Sequence, residues 1–254
     1  MGILQKLEAG ACAGNKQLAV LIDPDKCSDE GLRHLTQVAN QAGVDYLFVG
    51  GSLITTGNLR SCTRLLKSLS DLPVVLFPGS VFQICNQADA ILLLSLISGR
   101  NSDMLIGNHV IAAFSLKESG LEIIPTGYIL VDGGKMSSVQ YVSNTLPIPS
   151  DKEEIGIATA LAGEMLGLKL IFLEAGSGAI NPVRAKMISS VKENISIPLI
   201  VGGGIRSASM ASAAWEAGAD LIVVGNALES NPALLPQIGN VKLELNIKAN
   251  QFKD

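Results

Sequence analysis

The sequence predicts a single (β/α)8 barrel of the TIM type. Eight short apolar runs recur along the chain, amphipathic helical patterns lie between most of them, and 254 residues is the size of one such barrel. The runs are LAVLI (18–22), YLFVG (46–50), PVVLF (73–77), AILLLSLI (90–97), IIPTGYILV (123–131), LKLIFL (168–173), PLIVG (198–202) and DLIVVG (220–225). Their hydrophobicity is continuous rather than alternating, as expected of parallel strands covered on both faces. A composition of 48% hydrophobic, 17% charged and only 4% aromatic residues supplies a large aliphatic core.

The intervening segments read as helices in turn: SDEGLRHLTQVANQAG, NLRSCTRLLKSLS, DKEEIGIATALAGEMLG, NPVRAKMISSVKEN and SASMASAAWEAG. Several open on Ser, Asn or Asp, whose side chains accept hydrogen bonds from the first free amides of a helix. Gly43, Gly167 and Gly218 close three of them. Repeated strand and helix imply a parallel sheet, and eight units favour its closure. Two places are irregular. Between Phe77 and Ala90 there is room for little more than a short helix. The polar stretch DGGKMSSVQYVSNTLPIPSD leaves the end of the fifth strand as a long loop. Residues 1–254 form one domain in this reading, with 241–254 as a peripheral C-terminal tail.

A net charge of -4 and a pI of about 5.3 exclude a generally basic nucleic-acid-binding face. Anionic small molecules remain compatible, because backbone amides and a metal hold them without surface cations. The four cysteines, Cys12, Cys27, Cys62 and Cys85, form no CxxC and fit no zinc spacing, and they read as reduced thiols of a cytosolic protein. His34 and His109 lie far apart in predicted helices, too little for a zinc site or a Ser-His-Asp triad. The start MGILQKLEAG lacks a signal peptide's apolar core, and no apolar run reaches the roughly 18 residues of a membrane span. A cytoplasmic location is expected.

In such barrels the chemistry sits at the C-terminal ends of the strands. Those ends read Asp23-Pro24-Asp25-Lys26, Gly50-Gly51-Ser52, Asp132-Gly133-Gly134-Lys135, Glu174 with Gly176-Ser177-Gly178, Gly202-Gly203-Gly204, and Gly225-Asn226. Glycines let backbone N–H groups approach a phosphate closely, and a following helix N-terminus adds favourable polarity. They also make tight turns. Two such loops in adjacent units, with a third after the sixth strand, favour a phosphate site. Neither a P-loop nor a dinucleotide fingerprint is present, since their spacings fail. Asp23 caps a helix, pairs with a lysine or binds a hard cation; Ser52 is a turn residue or a further oxygen ligand. Glu174 is a structural ion-pair partner or a general base.

Taken together, LIDPDK (21–26), FVGGS (48–52), TGYILVDGGK (126–135), SNTLPIP (143–149), FLEAGSGA (172–179), VGGGIRS (201–207) and VVGNAL (223–228) resemble the geranylgeranylglyceryl phosphate synthase family, which includes the heptaprenylglyceryl phosphate synthases. The pieces cover nearly the whole chain in family order and look most like the branch with the DPDK start. The resemblance implies a barrel with a reduced third helix, in keeping with the thin segment 78–89. It implies a transferase joining the C3 hydroxyl of sn-glycerol 1-phosphate to a polyprenyl diphosphate, most readily geranylgeranyl, with release of diphosphate to form an ether-lipid precursor.

It further implies Mg²⁺ at Asp23 and Ser52, and glycerol phosphate along Phe172, Leu173, Glu174, Ala175, Gly176, Ser177 and Gly178. The phosphate would lie at Gly203, Gly204, Gly225 and Asn226, and Glu174 would take the hydroxyl proton. A homodimer or homohexamer and transient membrane-surface contact belong to the same expectation. This chain departs from many members at Phe172, where they carry Tyr, and at Leu21, where Bacillus-type relatives carry Lys; Lys26 and Lys135 are candidate substitutes. Two rival readings share the glycine loops. One is another phosphate-binding barrel, such as a histidine- or tryptophan-pathway isomerase or an FMN-dependent enzyme. The other is a non-catalytic phosphate-ligand binder. DPDK, FLEAGSGA and SNTLPIP together argue against the isomerases; the non-catalytic binder predicts ligand binding without turnover.

Overall fold

The structure, a computed structural model, describes residues 1–251. Strands β1 (Gln17–Ile22), β2 (Tyr46–Val49), β3 (Val74–Leu76), β4 (Ala90–Leu96), β5 (Glu122–Leu130), β6 (Leu170–Glu174), β7 (Leu199–Gly202) and β8 (Leu221–Val224) close into a parallel barrel in sequence order, with β8 pairing back onto β1. The helices are α1 (Ile3–Cys12), α2 (Asp29–Gln41), α3 (Leu59–Leu69), α4 (Asn108–Ser119), α5 (Ser138–Ser143), α6 (Glu153–Met165), α7 (Ala185–Lys192), α8 (Ala208–Glu216), α9 (Asn226–Ser230) and α10 (Leu234–Gln251).

Both faces of the sheet are buried, which is why the strands read as continuous apolar runs. Leu18, Val20 and Ile22 of β1 and Ile171 and Leu173 of β6 belong to the outer layer beneath the helices. Ala19, Phe48, Val75, Leu92, Ile124, Phe172, Ile200 and Leu221 fill the barrel itself. The cap residues act as their types predict: Ser28, Asn58 and Ser207 accept hydrogen bonds from the amides of Gly31, Ser61 and Met210.

Four features differ from the sequence reading or extend it. Helix α1 closes the N-terminal end of the barrel, with Ile3 and Leu7 joining the inner core and Glu122 accepting from the amides of Ile3 and Leu4. No regular helix forms between β3 and β4, so residues 77–89 are a loop. The helix expected from Asn181 begins only at Ala185: Arg184 is still extended, at φ -64° and ψ 140°, and the amides of Ile180 and Asn181 are bound to the Gly133 carbonyl. Residues 241–251, expected as a tail, continue α10; Lys242 pairs with Asp45 at 2.7 Å and Asn246 hydrogen-bonds both ways with the Lys16 backbone. Residues 252–254 of the expected tail lie outside the described residues.

Trp215 of α8 is fully buried, and its indole N–H donates to the Gln17 carbonyl at 3.1 Å. Trp215→Ala removes that packing and that hydrogen bond and should cost about 3–5 kcal/mol in urea unfolding. A loss below about 1 kcal/mol would contradict a rigidly packed outer layer there.

Candidate active site

The barrel mouth opens into a cavity whose lining includes Asp23, Ser52, Glu174, Ser177, Gly178, Gly203, Gly204, Gly225 and Asn226. These residues come from five different strand ends, brought together only by closure of the sheet.

Glu174 is the last residue of β6, flanked by Leu130 of β5 and Gly202 of β7. Strand alternation points it the same way as Phe172, into the barrel. Beneath it lies an aromatic floor: Phe77 and Tyr128 each place their ring centroids 5.4 Å from that of Phe172, and Phe48 stacks on Phe77. The carboxyl is 7% exposed and accepts one hydrogen bond, from the Gly176 amide at 2.7 Å. Burial pushes its pKa up to about 7, and the Gly176 hydrogen bond only partly offsets that rise. The same surroundings push the Tyr128 phenol well above its ordinary value, through burial first and the Glu174 charge second.

The glycine loops form a bare cradle beside this carboxyl. Gly176, Gly178, Gly203 and Gly204 all have φ between +66° and +97°, which L side chains rarely adopt. Space forbids side chains as well. A Cβ on Gly203 would collide with the Glu174 carboxylate and lie 2.8 Å from the Gly176 nitrogen. On Gly178 it would lie 3.4 Å from Lys135 Nζ and 3.7 Å from Asn226 Nδ2. A small anion over Gly178 therefore meets two nitrogen donors and the start of α9.

Asp23 follows β1 directly. One carboxylate oxygen accepts from the Asp25 amide at 3.1 Å, and the other faces Lys26 Nζ at 3.4 Å. Lys26 also meets Glu229 at 3.3 Å and the Asn226 side-chain oxygen at 3.4 Å, so its charge is shared among the rim acids. Gly51 lies against Asp23; a Cβ there would be 3.6 Å from the carboxylate. Asp23 and Ser52 both line the chamber and carry hard oxygen donors. Among the described residues no cluster of three His, Cys, Asp or Glu side chains exists to cage a metal. The donor set fits Mg²⁺, which takes one or two protein oxygens and fills its octahedron with water and substrate phosphates.

Asp25 does a different job. Its carboxylate accepts from the amide and hydroxyl of Thr55 at 2.8 and 2.9 Å and from the amides of Thr56 and Gly57. Those donors hold its pKa down to about 2 and tie the loop after β1 to the loop after β2.

A second cavity, overwhelmingly apolar, opens beside the loop that stands in place of the missing helix. Val81 and Ile84 of the 77–89 loop, Ile91 and Leu93 of β4, and Ala112 and Leu116 of α4 line it. His109 sits in its wall, with Nε2 3.3 Å from the Ser95 hydroxyl. The two cavities share Gly51, Ser52, Phe77, Tyr128 and Val139, so a polar chamber and an apolar slot meet at one wall.

The model of the PcrB family matches residues 14–242. The chain belongs to the PcrB family. It is 53% identical over 227 residues to the geranylgeranylglyceryl phosphate synthase of Chitinophaga pinensis, covering 89% of this chain and 90% of that one. The archaeal protein of the same name from Korarchaeum cryptofilum is 42% identical, over 89% of this chain and 92% of its own. The crystal structure of the (S)-3-O-geranylgeranylglyceryl phosphate synthase from Thermoplasma acidophilum, solved with sn-glycerol-1-phosphate, superposes with a TM-score of 0.90 at 33% identity, covering 96% and 99% of the two chains.

Within this PcrB-family chain the residues singled out by sequence fall into three groups. Asp23, Ser52, Glu174, Ser177, Gly178, Gly203, Gly204, Gly225 and Asn226 share the polar chamber. Phe172 lies below it as fully buried floor. Leu173 and Ala175 are buried in the outer layer beneath the helices, and the Gly176 amide is engaged by Glu174, so none of these three offers a side chain or free donor to a ligand. Of the two candidate cations, Lys26 is paired with acids, whereas Lys135 reaches the cradle at Gly178. Glu229, Tyr128 and Phe77 were not anticipated; only the strand-end position of Phe77 and the helical spacing of Asn226 and Glu229 hint at them.

A carboxyl whose folded pKa lies above its unfolded one holds a proton that the unfolded chain has lost. Stability therefore falls as pH rises from the ordinary glutamate range through about 7. Glu174→Gln should be more stable than the parent at pH 8, by up to about 3 kcal/mol, and nearly equal at pH 4. Equal urea midpoints at pH 8 would refute the strained burial of this group.

Proposed function

We propose that the chain is a prenyltransferase of the geranylgeranylglyceryl phosphate synthase type, joining the C3 hydroxyl of sn-glycerol 1-phosphate to a polyprenyl diphosphate, with geranylgeranyl diphosphate as the donor that its relatives' names indicate. The observation that carries this reading is the meeting of the polar chamber and the apolar slot beside Glu174. A transferase of this kind needs one compartment for a phosphate-bearing alcohol and another for a hydrocarbon tail. Isomerases of small sugar phosphates have no use for the second.

The chemistry follows from the placement. Glycerol phosphate sets its phosphate on the glycine cradle, near Lys135 and Asn226, and its C3 hydroxyl toward Glu174. The prenyl tail lies along the slot, with its diphosphate toward Asp23 and Ser52. These two residues would hold Mg²⁺, which supplies positive charge to the departing diphosphate. The allylic C–O bond breaks, the C3 oxygen bonds to the freed carbon, and ionised Glu174 takes the hydroxyl proton. Holding both reactants at that junction replaces a bimolecular encounter by a positioned one, worth several kcal/mol on the order of effective-molarity effects. The closed aromatic floor keeps water from the allylic cation. A homo-oligomer, a cytoplasmic setting and transient contact with the membrane that stores the prenyl donor belong to the same proposal. No helix among the described residues is long and apolar enough to cross a membrane.

Radiolabelled sn-glycerol 1-phosphate should pass into a solvent-extractable lipid only when a prenyl diphosphate and Mg²⁺ are present, and the opposite enantiomer should react far more slowly. Absence of extractable label with every chain length tried would overturn the assignment. Glu174→Gln should lower kcat by roughly 10²–10⁴ while the protein stays folded. In the parent, kcat/KM should climb with pH through about 7, the range to which burial moves Glu174. A flat profile combined with an active Gln variant would remove Glu174 as the base.

A further inference from the structure

Gln83 is a buried polar side chain in the loop that replaces the missing helix, and it is only 5% exposed. Both ends of its amide are engaged. The carbonyl oxygen accepts from the Gly79 amide at 3.0 Å, and the nitrogen donates to the Gly51 carbonyl at 2.9 Å. It thus bridges the loop after β3 to the loop after β2. Backbones meet closely there: a Cβ on Gly79 would collide with the Gly51 carbonyl and lie 2.6 Å from that of Ser52. A Cβ on Gly50 would collide with the Phe77 carbonyl.

This is an unusual place for an amide. The neighbouring slot is apolar, and an aliphatic side chain would fill the space without the desolvation that a glutamine must offset by hydrogen bonds. What Gln83 adds is position. Gly51 and Ser52 form the wall common to the polar chamber and the slot. Asp25 pins the far end of the same loop through Thr55, Thr56 and Gly57. The loop carrying Ser52 is therefore held from two sides, by Asp25 at one end and by Gln83 at the other.

We propose that Gln83 is a positioning residue for the prenyl diphosphate: it sets the junction between slot and chamber, and so the place of the allylic carbon relative to the glycerol phosphate hydroxyl. The inference rests on the proposed reaction. The glycerol phosphate cradle, on β6 to β8, lies across the mouth and is built without Gln83.

Gln83→Met keeps the length of the side chain and removes both hydrogen bonds. It should raise KM for prenyl diphosphate at least tenfold and lower kcat, while the dissociation constant for sn-glycerol 1-phosphate, measured by calorimetry without prenyl donor or metal, stays within twofold. Hydrogen exchange of the Gly79 amide in the ligand-free protein should speed up markedly. If Gln83→Met fails to fold, Gln83→Glu is measured instead, since it keeps the acceptor for Gly79 but sets an oxygen against the Gly51 carbonyl; the same split is expected. A variant that melts earlier yet keeps both substrate constants would show a purely structural residue and overturn the proposal. So would a parallel weakening of both substrates. Parent protein that yields no lipid product would instead defeat the proposed reaction, and the exchange measurement would still read the clamp.

Discussion

A carboxyl group held over four aromatic rings with a single hydrogen bond is the constraint around which the mouth of this barrel is arranged. Glu174 cannot be relieved by a partner without losing its reach toward a ligand. Gly202 and Gly203 must stay bare because any side chain would strike its carboxylate. The aromatic floor must stay closed because water there would restore the ordinary acidity. The cost is borne by the outer layer, where Trp215, Leu199, Ile222 and their neighbours are completely buried beneath the helices.

The rim divides its work by side. On β6 to β8 the rim is bare backbone, with glycines in left-handed conformations and the start of a short helix. On β1 to β3 it is lined by side chains: Asp23 and Ser52 carry oxygens, while Asp25 and Gln83 brace the loop between them. Lys26 joins the two sides by reaching from the first loop to Asn226 and Glu229 on the last. A barrel that closes β8 onto β1 makes that contact local in space although it spans the sequence.

The strands were legible because burial on both faces leaves an uninterrupted apolar run, and the strand ends were legible because polar residues and glycines follow each run at once. Asp23, Glu174 and the triple glycine therefore stood out. Alternation would also have separated Leu173 from Phe172 and Glu174, since neighbours on a strand face opposite ways; reading FLEAGSGA as one block obscured that. Helix α1 was missed because its buried residues, Ile3 and Leu7, are too few to show a period. The roles of Gln83 and Tyr128 were hidden for another reason: each depends on side chains that only barrel closure brings near. The slot was invisible because it is made by a helix that is not there.

That omitted helix has a further consequence. Part of the slot lies between β4 and α4 with a loop as one wall, and Leu92, Leu96 and Tyr128 of the barrel interior line the rest. Residues such as Val81 or Ala112 can be enlarged or trimmed without repacking the barrel interior, which draws on other side chains. In the proposed reaction, tail length is in this way separable from the chemistry of the head group: editing Val81 or Ala112 retunes the hydrocarbon wall and leaves Glu174 and the glycine loops untouched.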